Sequence, residues 1–270
     1  MSENHIENFI LSMTEDGCTP SKSQEIIADD QIHPYTLDGD KTGKMAGSYL
    51  FNILDDGFAY GWYRNHREGI TYSYHSLSTG KKLSKEEKEE ADEKIKAHKR
   101  KQKLQRSREA LKVSREAVKV LNESDDADDN NQYLLRKQVK TWEGLKQSKD
   151  KLLVPMQSIE GTVWSYQRIM PDGDKWYLSG SKKKGCFFPL VLEYEPKNVI
   201  IICEGLSTGL TLRETLDLPV YVAFDAGNLL SVSQAVRGLY TDSKILIASD
   251  CDYWTFKAGS CPDGVKKDYI

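Results

Sequence analysis

The chain reads as an α/β protein: a parallel sheet flanked by helices at its C-terminal end, preceded by an α+β region that carries one long charged helix. Three observations predict this. Residues 198–252 hold three short, nearly continuous apolar runs, NVIIIC, PVYVAF and KILIAS, of the kind that strands show when both faces are buried. Between them lie STGLTLRETLDL and LLSVSQAVRGLY, both of helical length and periodicity. The order is therefore β-α-β-α-β, which implies a parallel, right-handed, helix-covered sheet. Upstream, residues 84–121 contain neither Gly nor Pro and are dominated by strong helix formers.

Each segment follows its own composition. Residues 1–83 mix aromatic and β-branched residues with turn formers, and SYLFNIL, FAYGWYR and ITYSYHSL read as strands of a meander, two of them joined at Asp56-Gly57. Residues 84–131 comprise the charged helix and an acidic loop, NESDDADDNN. Ser84 with Glu87 three residues later fits a capping box, and acids precede bases along the helix, as its dipole favours. Leu104, Leu111 and Val118 recur every seven residues, a thin apolar stripe. Two readings of this helix stay open: a solvated connector, or a basic face for nucleic acid, since residues 94–119 hold few acids among many Lys and Arg. Residues 132–197 open with a short basic helix or turn and continue as a β-meander with turns at Glu160-Gly161 and Pro171-Asp172-Gly173. Residues 198–270 form the parallel α/β domain.

Bulk properties narrow the class. A length of 270 residues suffices for one large or two modest domains, and 29% charged residues against 39% hydrophobic ones fit globular parts plus a solvated segment. The net charge of −3 does not announce a nucleic-acid binder, so any such surface must be local. Cys18, Cys186, Cys203, Cys251 and Cys261 are odd in number and form no Cys-x-x-Cys pair, which argues against a disulfide framework. Cys203 and Cys251 lie in apolar runs and are expected to be buried thiols. The polar, acidic N-terminus is no secretory leader, and no apolar run approaches the roughly 18 residues of a membrane span. A soluble, cytoplasmic protein with no membrane partner is expected.

In a parallel α/β sheet, functional residues gather past the carboxyl ends of the strands. The first apolar run ends at Cys203 and leads into Glu204-Gly205; the third ends at Ser249 and leads into Asp250-Cys251-Asp252. Three carboxylates, Glu204, Asp250 and Asp252, are thus expected on one sheet edge. Such a cluster repels itself unless a cation sits among its members, and hard oxygen donors suit Mg²⁺ or Mn²⁺. Gly205 allows a close approach of backbone to metal or phosphate.

NVIIICEGLSTG, VAFDAGNLLSVSQAVR and KILIASDCD together resemble the Toprim domain shared by bacterial-type primases, topoisomerases and some nucleases. Glu-Gly after one hydrophobic strand and Asp-x-Asp after a later one is that family's hallmark, and AFDAGNL looks like the DNA primases of plasmids and phages. Further segments upstream, IHPYTLDGDKTGKMAGSYLFNILDDGFAYGWYRNHREG and LLVPMQSIEGTVWSYQRIMPDGDKWYLSGSKKKGCFFPL among them, resemble the same proteins. The likeness leaves out only the charged helix and the termini.

The resemblance implies a nucleotidyltransferase of bacterial cytoplasm, phage- or plasmid-encoded, that makes short primers on a single-stranded DNA template from nucleoside triphosphates. Glu204 would act as metal ligand or general acid/base, and Asp250 and Asp252 would hold the catalytic metal. Arg136, Lys137, Lys182, Lys183 and Lys184 are the expected phosphate contacts. Trp62, Tyr63, Trp164 and Trp176 have the chemistry to stack on bases, although strand spacing favours core packing for each. A replicative helicase or a C-terminal partner chain is the further partner implied.

Two parts of replication primases are absent from the sequence. His33, His66 and His75 lack Cys partners at zinc-ligand spacing, and the Gly39–Lys44 stretch, ending before Met45, is no P-loop. Only eighteen residues follow Asp252, rich in Gly, Pro and Asp, where a Toprim domain continues with a helix and strand; an incomplete domain with an open sheet edge is expected. A metal-dependent Toprim nuclease and a non-catalytic DNA-binding accessory protein are the alternatives.

Overall fold

A computed structural model describes residues 2–21, 24–41, 45–78, 84–194 and 197–249. The chain divides into two compact units, Met1–Lys103 and Leu104–Ile270. Both mix helices with sheets.

The first unit contains α1 (Ser2–Glu15), β1 (His33–Tyr35), β2 (Gly47–Ile53), β3 (Ala59–Asn65), β4 (Ile70–His75) and the start of α2 (Lys85–Glu123). Its four strands form an antiparallel sheet in chain order. Asp56-Gly57 makes the β2–β3 turn: Gly57 takes a φ of 82°, and the Asp56 carboxylate accepts from the Phe58 amide at 3.0 Å. Residues 2–15, a polar and acidic stretch in the sequence, form α1. Ile6, Phe9, Ile10 and Met13 nevertheless share one helical face, and that face packs on the sheet. Phe9 stacks on Phe51 at 4.3 Å between ring centres and meets Tyr63 and Tyr74 edge-on. Gly61, paired with Phe51 across the strands, has no room for a side chain: a Cβ there would run into the Leu50 carbonyl and stand 3.2 Å from the Phe9 ring.

Ser84 and Glu87 form the capping box of α2: the Ser84 hydroxyl accepts from the Glu87 amide at 3.2 Å, and the Glu87 carboxylate accepts from the Ser84 amide at 2.8 Å. Within the first unit this helix buries Ala91 beside Phe58 and Tyr60.

The second unit takes up α2 from Leu104 onward and adds β5 (Asp125–Asp126), α3 (Gln132–Lys137), β6 (Lys146–Ser148), β7 (Lys151–Gln157), β8 (Val163–Ile169), β9 (Lys175–Tyr177), β10 (Phe188–Leu190), β11 (Val199–Cys203), α4 (Leu206–Leu216), β12 (Val220–Val222), α5 (Ala226–Leu239) and β13 (Lys244–Ala248). β5 to β9 form an antiparallel sheet in chain order. Gly161 (φ 79°) and Gly173 (φ 96°) supply the left-handed turn positions that the sequence located.

The other sheet runs β10-β12-β11-β13; β11 is parallel to β12 and β13, and β10 adds an antiparallel strand. β11 and β12 are buried, as their apolar runs predict. β13 differs: it is the edge strand among the described residues, with Leu246 40% and Ile247 49% exposed.

The two sheets of this unit share a core. Leu152, Val154 and Met156 of β7 belong to the same buried cluster as Cys203, Leu206, Leu210 and Val222. Gly209 lets α4 approach closely: a Cβ there would stand 2.7 Å from Val222 and 3.1 Å from the Cys203 sulfur. On α2, the residues turned inward are Ala110, Ser114, Ala117 and Leu121, not the heptad Leu104, Leu111 and Val118, which is 54%, 48% and 39% exposed. Ala117 and Leu121 pack with Leu153 and Tyr166, and the Ser114 hydroxyl donates to the Val163 carbonyl. No described helix is long and apolar enough to cross a membrane.

Phe9→Ala is expected to destabilise the first unit by about 3–5 kcal/mol, the usual loss for a buried Phe. The urea midpoint of that unit's transition reads this, with amide exchange at Val154 in the second unit unchanged.

Candidate functional site

Parallel strands deliver their carboxyl ends to one edge. β11 ends at Cys203, so Glu204 and Gly205 emerge there, half-exposed, immediately before α4. β12 is paired in register, Cys203 opposite Val222, and the Ala223 amide donates to the Cys203 carbonyl at 2.8 Å. Phe224 and Asp225 therefore emerge at the same edge, before α5. Phe224 is held at φ 73°, a left-handed conformation that costs a bulky residue on the order of 1–3 kcal/mol. The turn persists because its neighbours fix it. The Phe224 side chain is buried in the shared core, and its carbonyl accepts from the Tyr177 hydroxyl at 3.3 Å.

A second layer lies over this edge. Lys175 and Tyr177 alternate with Trp176 along β9 and so face the same way. The Lys175 ammonium stands 3.9 Å from the position a Cβ on Gly205 would take. The Tyr177 hydroxyl also accepts from the Gln167 amide at 2.6 Å; burial raises its pKa, so the proton stays on oxygen. After β9 comes the basic loop. Lys183 pairs with Asp225 at 2.7 Å and lies over the Tyr177 ring at 4.7 Å; its pKa is raised, chiefly by that hydrogen bond. Lys182 lies over the Trp164 ring at 4.3 Å.

Asn228, only 3% exposed, fastens this loop to the sheet edge. Its carbonyl accepts from the Gly185 amide at 2.8 Å, and its amide donates to the Cys186 and Ala223 carbonyls, each at 2.8 Å. One side chain thus bridges two segments far apart in sequence. The loop's exit is pinned again where Gln157 and Phe187 exchange backbone hydrogen bonds of 3.0 and 2.9 Å. The Cys186 thiol beside this clamp is pushed up to about 11 by burial, which makes it a packing group rather than a nucleophile.

The expected site residues distribute as follows. Glu204 stands at the carboxyl edge; Asp250 and Asp252 lie outside the described residues. No group of three or more His, Cys, Asp or Glu among the described residues could hold a metal ion. Lys182 and Lys183 sit on aromatic rings of β8 and β9, and Lys184 is exposed. Arg136 and Lys137 lie apart from that loop in sequence, in the last turn of α3. Arg136 covers the Tyr133 ring at 5.9 Å and donates to the Asp172 carbonyl in the β8–β9 turn. Tyr63 is fully buried, Trp62 and Trp164 are half-buried, and Trp176 is 56% exposed. Lys175, Tyr177, Asp225 and Asn228 join the site without being among the residues expected there from the sequence. For Asp225 the signal was available: it follows the second apolar run as Glu204 follows the first.

Asn228→Ala would leave one amide and two carbonyls without their partner, a cost of about 2–3 kcal/mol where the groups stay buried. Hydrogen exchange is expected to show faster exchange at Gly185, with Val154 in β7 retaining its protection.

No protein-family profile matches the chain. It is 29% identical over 258 residues to a DNA primase TraC of Escherichia coli, an alignment covering 91% of this chain and 23% of that protein. A second Escherichia coli DNA primase TraC is 29% identical over 255 residues, covering 91% of this chain and 17% of the relative. A solved structure of the bacteriophage T7 lagging-strand DNA polymerase interacting with primase domains of two gp4 subunits gives a TM-score of 0.29 at 19% identity, over 43% of this chain and 61% of that one. A likeness at that score does not establish a shared fold. The chain spans about a fifth of the length of the two curated relatives, and nearly all of it is similar to them.

Proposed function

We propose that this chain is the catalytic region of a DNA primase of the plasmid or phage type, with residues 198–270 forming a Toprim-type domain. The observation that carries the reading is the similarity to proteins named DNA primase TraC along 91% of the chain. The parallel pairing of β11 with β12 and β13 supports it, because that pairing brings Glu204-Gly205 to a carboxyl edge.

In this reading Glu204, Asp250 and Asp252 hold Mg²⁺ or Mn²⁺. The Glu204 carboxylate fits the role chemically, being a half-exposed hard oxygen donor at a strand end beside a glycine. The bound ion would supply charge neutralisation for a nucleoside triphosphate. The protein's own contribution is positioning. Lys183 offers its remaining N–H groups at the edge while Asp225 and Tyr177 fix its place, and Lys175 adds a cation beside Gly205. Lys182, Lys184, Arg136 and Lys137 provide phosphate contacts to the single-stranded template and primer. The exposed Trp176 ring offers a stacking platform for a base. A replicative helicase is the further partner proposed.

Primer synthesis tests the reading. The 270-residue chain, given single-stranded DNA, labelled nucleoside triphosphates and Mg²⁺, is expected to make short oligonucleotides. Chelation should abolish synthesis, and Asp250→Ala should lower it by about 100-fold or more. Metal-dependent loss of labelled DNA without synthesis would instead identify a nuclease. DNA binding that is unaltered by Asp250→Ala, with neither reaction, would identify an accessory protein.

A further inference from the structure

Charge in this protein is concentrated on one helix. Residues 94–119 carry eleven Lys and Arg against two Glu, in a chain whose net charge is −3. Within the second unit, Arg108, Lys112, Arg115 and Lys119 follow one another at intervals of four, three and four residues and are all exposed. That spacing places them on one helix face, along about 16 Å of axis. The inward residues Ala110, Ser114, Ala117 and Leu121 have the same spacing, displaced by two positions, which is the opposite face. The packing of α2 on the sheet therefore aims the basic stripe directly at solvent. Lys119 pairs with the exposed Glu123 at 3.9 Å, a contact of small value in water.

The helix that carries the stripe also lies beneath the basic loop of the candidate site. Leu178, just after β9, packs with the cluster of Ala117 and Leu121, and Val113 lies 3.7 Å from where a Cβ on Gly180 would stand. Gly180 opens the loop that carries Lys182, Lys183 and Lys184. The helix is thus the support on which the basic loop's first residues rest.

We infer that the outer face of α2, Arg108, Lys112, Arg115 and Lys119, is a phosphate-binding track for single-stranded nucleic acid that extends the candidate site. The inference rests on the primase reading for its choice of polyanion. The geometry itself disfavours a membrane surface: α2 contains no Phe, Trp or Tyr, and its small inward face is already spent on the sheet. The track binds through charge alone, so it carries no sequence preference, and each contact releases counterions from the strand.

Fluorescence anisotropy of a labelled single-stranded oligonucleotide, read across a salt series, tests this on the full chain. The comparison variant is Arg108→Gln/Lys112→Gln/Arg115→Gln/Lys119→Gln, which keeps helix propensity and touches no buried residue. If all four cations meet phosphates, the slope of log affinity against log salt should become shallower by about 3, four contacts at roughly 0.7 each. An affinity loss of tenfold or more at low salt should accompany it. An unchanged slope and affinity, with helix content intact by circular dichroism, overturns the inference. So does a loss confined to binding of phosphatidylserine vesicles. Should the quadruple variant misfold, Lys112→Gln/Arg115→Gln is read in the same way, with about half the change in slope. A shallower slope in a protein that makes no primers would uphold the track and overturn the primase reading.

Discussion

Everything at the candidate site depends on one core that serves two sheets. Leu152, Val154 and Met156 of β7 are buried together with Cys203, Leu206 and Leu210, which belong to β11 and α4. A one-residue slip of β7 would carry the β8–β9 hairpin with it. The Lys175 ammonium would then leave Gly205, and the Tyr177 hydroxyl would leave the Phe224 carbonyl. Register here is enforced by burial on both faces, since a shift of one residue would exchange Leu152, Val154 and Met156 with Leu153, which packs under α2. Apolar packing thus sets where the polar groups stand.

Upon that core a few polar contacts do the finer positioning. The carboxyl edge holds a bulky residue in a left-handed turn, a buried asparagine with three partners and a lysine bracketed by a carboxylate and a ring. Each alone is a modest interaction. Their common effect is to restrict the basic loop before any ligand arrives, which removes part of the ordering cost from binding. The Lys183–Asp225 pair is partly open to water, so its value lies in placement more than in stability.

How far the sequence disclosed this arrangement depended on whether the signal was local. β11, α4, β12 and α5 were legible because each carries its own period and its own punctuation. The turns at Gly57, Gly161 and Gly173 were legible because a left-handed φ has few chemical solutions. The helix α1 is hard to read although Ile6, Phe9, Ile10 and Met13 carry the correct spacing, because polar and acidic residues fill the rest of its length. Asn228 was illegible for a different reason. Its partners Gly185 and Cys186 lie 43 and 42 residues away, and only the folded chain brings them within reach. Of the three proposed metal ligands, all read from their places after apolar runs, Glu204 stands at the carboxyl edge, and Asp250 and Asp252 lie outside the described residues.

The long helix shows how a hydrophobic period can mark the wrong face. Leu104, Leu111 and Val118 are the most apolar residues on a regular spacing, yet they stay exposed while Ala110, Ser114 and Ala117 turn inward. Small side chains let a helix lie close to a flat sheet, and a serine hydroxyl can satisfy a strand carbonyl, as Ser114 does for Val163. Larger residues at those positions would lift α2 away from β7 and β8. Because the inner face is selected for size, the outer face is free to carry charge, and a nearly neutral chain can concentrate cations there without burying any of them. Whole-chain charge therefore says little about this protein's partners; the orientation of one helix says more.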